Sequence, residues 1–246
     1  KKEGWIAQTP SLSEHFKVIT LDNRGSGKSD RPNYPYTIEM FADDIKGLMD
    51  YLGLKKAHIV GKSLGGMIVQ MFALKYPEYV NKLVLLNTST GYPSDQGPEM
   101  YKQGQIDNYY AKLKDPAKTF FESARGGFSR EFRKLMQEDP KRKFHGLWSS
   151  EELIKESTID PTTPQDIKNQ TNALKGFHSL EKLQEIKSET LILGAEKDRV
   201  MSVNNQQQMH ERIPNSIIKI IKGTGHSSNL EKAPEVNQIL IDFLKN

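Results

Sequence analysis

Cysteine is absent from all 246 residues. That removes disulfides, thiolate nucleophiles and thiolate zinc sites together, and it leaves the redox compartment undetermined. The chain also lacks any apolar run approaching the roughly 20 residues that a spanning helix needs. Its opening stretch, "KKEGWIAQTP", has no apolar core of a secretory signal. Charge of one sign is scarce as well: 35 Lys and Arg face 31 Asp and Glu, a net +4 spread along the whole length. No basic block marks a nucleic-acid or membrane surface, so neither partner is expected. What remains is a soluble chain with the cytoplasm as its default location. Its 36% hydrophobic and 27% charged content is that of an ordinary globular domain able to bury a sizeable core.

Five short runs rich in β-branched and aliphatic residues recur along it: "FKVITLD" (16–22), "AHIVGKS" (57–63), "KLVLLNT" (82–88), "TLILGAE" (190–196) and "SIIKIIKG" (216–223). Their continuous apolar character predicts strands covered on both faces, hence a parallel sheet. Helical stripes lie between and after them. Phe41, Ile45, Leu48, Met49 and Leu52 repeat at helical spacing between Thr37, a suitable N-cap, and Gly53, a suitable C-cap. Val236, Ile239, Leu240, Phe243 and Leu244 do the same near the C-terminus. Strand and helix in alternation predict an α/β, doubly wound architecture.

The alternation stops between residues 91 and 163, a span too long for a structureless loop in a compact domain. Two stripes mark helices there, one through Ile106, Tyr109, Tyr110 and Leu113 and another through Phe128, Phe132, Leu135 and Met136. Asp115-Pro116 and Asp139-Pro140 punctuate them. The expected organisation is therefore a core of residues 1–90 and 164–246 carrying a helical insertion at 91–163. The Phe and Tyr residues of that insertion either line a pocket for an apolar acyl or alcohol group or simply form its packing core. Gln206–Gln208 reads as a solvated helix face.

Chemistry concentrates at "HIVGKSLGGMIVQ", where Gly61, Ser63 and Gly65 make a G-x-S-x-G turn between a strand run and a helical run. A serine hydroxyl attacks a carbonyl only when it stands exposed and a base takes its proton. The sharp strand-to-helix turn supplies the exposure, and its small flanking residues give the room. An acid and a base then follow in order. "LILGAEKDRV" delivers Asp198 just past a strand end, and "IIKGTGHSSNLEKAPE" presents His226 on a glycine-rich loop before the last helix. Strand ends of this kind are where sites in open parallel sheets gather. His15, His58, His145, His178 and His210 do not sit on such loops. No HExxH or other paired-histidine spacing occurs, so neither a metal site nor a cofactor is predicted. Lys62, beside the serine, either touches an anionic substrate or is a solvated charge.

A competing motif fails. "DNRGSGKSD" ends like a phosphate-binding loop, yet Asp22 occupies the place of the required first glycine. Pro32 and Pro35 follow where the phosphate-holding helix should start. The stretch is expected to be a tight turn in which Asp22 and Arg24 hydrogen-bond the backbone near the active face.

Four pieces together, "VITLDNRGSGKSD", "VGKSLGGMIVQMFALKYPEYVNKLVLLNTS", "LILGAEKD" and "GTGHSSNLEKAPEVNQILIDFL", resemble the α/β-hydrolase superfamily. The likeness is to its branch of 3-oxoadipate enol-lactonase-like esterases and cofactor-free haloperoxidase-type enzymes. The resemblance implies Ser63 as nucleophile, Asp198 as acid and His226 as base, with the backbone N–H of Leu64 as one oxyanion donor. It implies a small or medium ester or lactone as substrate and places substrate choice in the insertion, as a helical cap. The superfamily's dehalogenase branch uses an aspartate nucleophile, so Ser63 argues against dehalogenation. Carbon–carbon bond hydrolysis and peracid formation use the same three residues, and a non-turnover ligand-binding signalling protein on the same fold is a further alternative. The family's second oxyanion donor lies before a tryptophan corresponding to Trp5, upstream of Lys1. Its first strands lie there too, including one between the strands ending at Asp22 and Ser63. The chain is therefore expected to be incomplete as a working protein.

Overall fold

The computed structural model describes residues 1–92 and 94–246; Pro93, within the expected insertion, lies outside the described residues. A short 3-10 turn (Lys2–Trp5) and α1 (Thr9–Ser13) come first, followed by α2 (Ile38–Tyr51). The sheet unit then begins with β1 (Ala57–Lys62), α3 (Leu64–Lys75) and β2 (Val80–Leu86). Helices α4 (Gln96–Lys114), α5 (Pro116–Gly127), α6 (Arg130–Glu138), α7 (Ser150–Thr158) and α8 (Pro164–Asn172) intervene. The sheet resumes with β3 (Glu189–Ala195), α9 (Val203–Arg212) and β4 (Ser216–Ile221), and the chain closes with α10 (Ser228–Glu231) and α11 (Ala233–Lys245). The strands lie in the order β1-β2-β3-β4, all parallel. This is the expected α/β architecture with helices on both faces.

The continuous apolar runs are explained by the pleat. Leu83 and Leu85 of β2 turn to the face covered by α2, α3 and α9, while Val84 and Leu86 turn to the face covered by α1 and α11. Each such side chain contributes roughly 1.5–3 kcal/mol by leaving water. Thr37 caps α2 as expected, its side chain accepting from the Met40 N–H, and Gly53 ends that helix at a φ of 67°. Asp115 caps α5 with Pro116 at its first position.

Several expectations need correction. The stretch 16–22 is not a strand. A ladder needs a neighbour for its N–H and C=O groups, and among the described residues β1 pairs with β2 alone. Phe16 and Val18 instead pack their side chains on the cluster beneath α1 and α11. The run at 216–223 forms β4, but as an edge strand whose residues alternate outward, with Ile217 46% exposed. The stripe starting at Phe128 is divided: Phe128 follows the last turn of α5 and Ser129 caps α6. Tyr110 and Leu113 of the other stripe face solvent. Within residues 91–163, the expected insertion, Phe128, Met136, Phe144 and Trp148 close on one another and on Ala7, Leu230 and Ala233, so these aromatics form packing core. Gln206 is not solvated; it is fully buried. No helix among the described residues is long and apolar enough to cross a membrane.

Candidate active site

β1 ends at Lys62 and α3 starts at Leu64, leaving Ser63 alone to make the turn. It does so at φ 53° and ψ −122°, a conformation that costs a non-glycine residue of order 1–3 kcal/mol and persists only when its surroundings hold it. They do. The Ser63 N–H donates to the Leu86 carbonyl at 3.0 Å, and the Ser63 carbonyl accepts from the N–H groups of Gly66 (2.9 Å) and Met67 (3.2 Å) and from Thr88 Oγ1 (2.7 Å). A side chain at Gly61 would run into the Gly65 carbonyl and Val69, and one at Gly66 would run into Thr88. Gly65 itself has open space, so Gly66, outside the expected motif, is the more crowded of the two. Leu64 opens the helix, where an N–H has no intrahelical acceptor and the helix dipole favours negative charge.

Asp198 follows β3 in a turn closed by its own N–H on the Ala195 carbonyl at 3.1 Å. Its Oδ1 accepts from the N–H groups of Val200 and Met201, both at 2.8 Å, and its Oδ2 lies 2.8 Å from His226 Nδ1. The carboxylate is wholly shielded from water and every oxygen is engaged. A ring nitrogen facing a carboxylate carries its proton there, which leaves Nε2 free to act as a base. His226 lies on the loop between β4 and α10, as expected.

Asn87 and Thr88 join these parts from the end of β2. Asn87, at a φ of 44°, donates through its side-chain amide to the His226 carbonyl at 2.9 Å, while Thr88 holds the Ser63 carbonyl. Gln206 in turn donates to the Thr88 carbonyl at 2.8 Å. Asp198 and His226 are thus directly paired, and the backbones of Ser63 and His226 are both tied to one strand end, through Thr88 and Asn87. No hydrogen bond links Ser63 Oγ to His226 among the described residues; such links commonly close only around substrate. Nothing local in the sequence marks Asn87, Thr88 or Gln206 as supports of the site, because their partners lie far along the chain.

Lys62 shares the Val60 face of β1 and sits opposite Leu86. It is half-buried, without an ion-pair or hydrogen-bond partner among the described residues. Burial pushes its ammonium down to about 8, against the pull of the Asp198 charge. It is not a freely solvated charge. Asp22 makes the expected backbone contacts, accepting from the N–H groups of Lys2 (2.8 Å) and Lys28 (3.1 Å). Arg24 does not: its guanidinium forks onto both oxygens of Asp44, at 2.7 and 2.5 Å. Among the described residues, no group of three or more His, Asp or Glu could hold a metal ion.

The family of proteins with the alpha/beta hydrolase fold matches residues 2–233. The chain belongs to that family. Among relatives of this α/β hydrolase is a protein named as a carbamate hydrolase, RutD, from Caulobacter segnis. It is 29% identical over 243 residues, covering 98% of this chain and 86% of the relative. A 2-hydroxy-6-oxononadienedioate/2-hydroxy-6-oxononatrienedioate hydrolase from Paraburkholderia phymatum is 29% identical over 234 residues, covering 93% and 76%. The enol-lactonase structure from Burkholderia xenovorans superposes with a TM-score of 0.81 at 23% identity, covering all of this chain and 87% of that one, which is a likeness of fold.

Proposed function

We propose that this α/β hydrolase is a serine hydrolase that cleaves a small or medium carboxylic ester or lactone through an acyl-enzyme on Ser63. The observation carrying the reading is the strained turn at Ser63, held by the same strand end that holds the His226 loop, with His226 already paired to Asp198.

In the proposed cycle, His226 Nε2 takes the Ser63 proton as the hydroxyl oxygen attacks the carbonyl carbon. Asp198 keeps the ring in the tautomer that frees Nε2 and steadies the imidazolium that forms. The Leu64 N–H faces the developing oxyanion, and one such donor is worth roughly 3–4 kcal/mol of the barrier. His226 then returns the proton to the leaving alkoxide. Water, deprotonated by the same ring, attacks the acyl carbon; the bond from that carbon to Ser63 Oγ breaks as His226 returns the proton to Oγ, releasing the acid and free Ser63. The helical insertion, as a cap, would supply the substrate-selective surface.

A second reading keeps these three residues and changes the bond cleaved to a carbamate or a carbon–carbon bond; the names of the two relatives at 29% identity support it. A fluorophosphonate probe tests the shared core of both readings, because it marks only an activated serine. Labelling mapped to Ser63 and lost in Ser63→Ala is expected, and labelling elsewhere overturns both. Turnover of p-nitrophenyl esters, lost in Ser63→Ala, then supports either hydrolase reading against a ligand-binding protein that does not turn over.

A further inference from the structure

The loop that carries His226 meets the helical insertion on both sides of the histidine and is hydrogen-bonded to it on the C-terminal side. The Ser227 N–H donates to the Gly127 carbonyl at 2.7 Å. A side chain at Gly225 would begin 2.8 Å from that same oxygen, so the two backbones meet with no room between them. Further on, the Leu230 carbonyl accepts from Trp148 Nε1 at 3.2 Å and the Glu231 carbonyl lies 2.9 Å from His145 Nε2.

Glu231 adds a contact of a different kind. Its Oε2 accepts from the Ser129 N–H at 3.0 Å, and the residue is only 7% exposed, with no ion-pair partner among the described residues. Neighbouring helices show what this contact replaces. The N-cap N–H of α7 is satisfied by its own third residue, Glu152, and that of α8 by Asp166, two complete capping boxes. In α6 the third residue is Phe132, which has no acceptor. A carboxylate 102 positions along the chain, on the helix directly after the His226 loop, completes the box instead.

We propose that Glu231 is a positioning residue through which the insertion sets the place of the His226 ring. The inference rests on the proposed role of His226 as base. Burying a carboxylate is costly unless it is hydrogen-bonded, so the Ser129 N–H and Glu231 hold each other, and displacement of either helix is passed to the loop between β4 and α10.

The test compares Glu231→Ala with Ser129→Ala, which weakens the α6 cap yet keeps the N–H that Glu231 holds. Ser129→Pro serves as the complementary variant, since a φ of −61° suits proline and only that variant removes the N–H. Expected for Glu231→Ala and Ser129→Pro is a loss of kcat of about tenfold or more with little change in KM, as misplacement of a reacting group by a fraction of an ångström produces. The His226 imidazole NMR resonances should shift in the same two variants. Ser129→Ala should lose thermal stability while keeping kcat and the His226 resonances. The inference is overturned if Glu231→Ala matches Ser129→Ala in all three readouts, or if only KM rises. The NMR readout needs no turnover, so an inactive wild type would defeat the esterase reading while the positioning role is still decided by the spectrum.

Discussion

The side-chain amide of Asn87 reaches the carbonyl of His226 at 2.9 Å, and Asn87 Oδ1 accepts from Ser228 Oγ at 3.3 Å. One buried residue at the end of β2 thus holds the His226 backbone and the Ser228 side chain, on either side of Ser227. Asn87→Ala leaves the part-buried His226 carbonyl without this donor and is expected to cost about 1 kcal/mol in urea denaturation. It also places a Cβ-only residue at positive φ, so Asn87→Gly is the companion that relieves the backbone and isolates the lost amide. Both should lower ester kcat through a displaced His226. Unchanged kcat in both would remove Asn87 from the site.

The direct pairing of Asp198 with His226 makes a sharper statement about tautomers. With Asp198→Asn the ring loses its carboxylate partner, and the proton is expected to move to the nitrogen that should act as base. A fall in kcat of about 10⁴ follows, with folding little disturbed because the Val200 and Met201 N–H groups can still donate to the remaining oxygen. Ser63→Ala should fall at least as far, and the two together no further than the worse of them, since they act as one unit.

Lys62 yields a prediction with a defined direction in pH. Its folded-state value of about 8 lies below the ordinary 10.5, so between those values the unfolded chain holds more protons than the folded one. Stability from this group therefore rises as pH climbs through that window, and below it the buried ammonium is a constant destabilisation. Lys62→Met should stabilise the protein near pH 7 by of order 1 kcal/mol, after allowance for partial solvent screening. The advantage should shrink toward pH 10. A constant difference across that range, measured by chemical denaturation, would contradict the assignment.

Two adjacent glycines should respond in opposite ways. Gly66→Ala drives a methyl group into Thr88, whose hydroxyl holds the Ser63 carbonyl, and is expected to destabilise by about 1–3 kcal/mol. Gly65→Ala meets open space inside the same helix and should be neutral or stabilising by up to about 1 kcal/mol. Thermal melts of the two variants decide the matter.

The fold and the serine turn were legible because they are written locally. A buried strand announces itself in "KLVLLNT", and G-x-S-x-G needs only five consecutive residues. The same locality misled at 16–22, where an apolar run has every intrinsic preference for a strand but, among the described residues, no neighbour to pair with. It misled again at Gln206, whose polar neighbours suggest a wet surface although its amide is committed to Thr88, 118 positions away. The supports of the site are long-range hydrogen bonds made by ordinary Asn, Thr, Gln and Glu residues. Nothing in their immediate surroundings distinguishes them from surface polar groups, whereas Asp198 and His226 each follow a strand that can be counted.

The backbone angles at Ser63 set a limit on how durable this protein can be. Glycine would occupy φ 53° with far less resistance, so Ser63→Gly should melt later than the wild type while losing the hydroxyl proposed as nucleophile. On the proposed mechanism, tension kept in the chain at that one residue accompanies the attacking oxygen, and a more relaxed backbone would come without it.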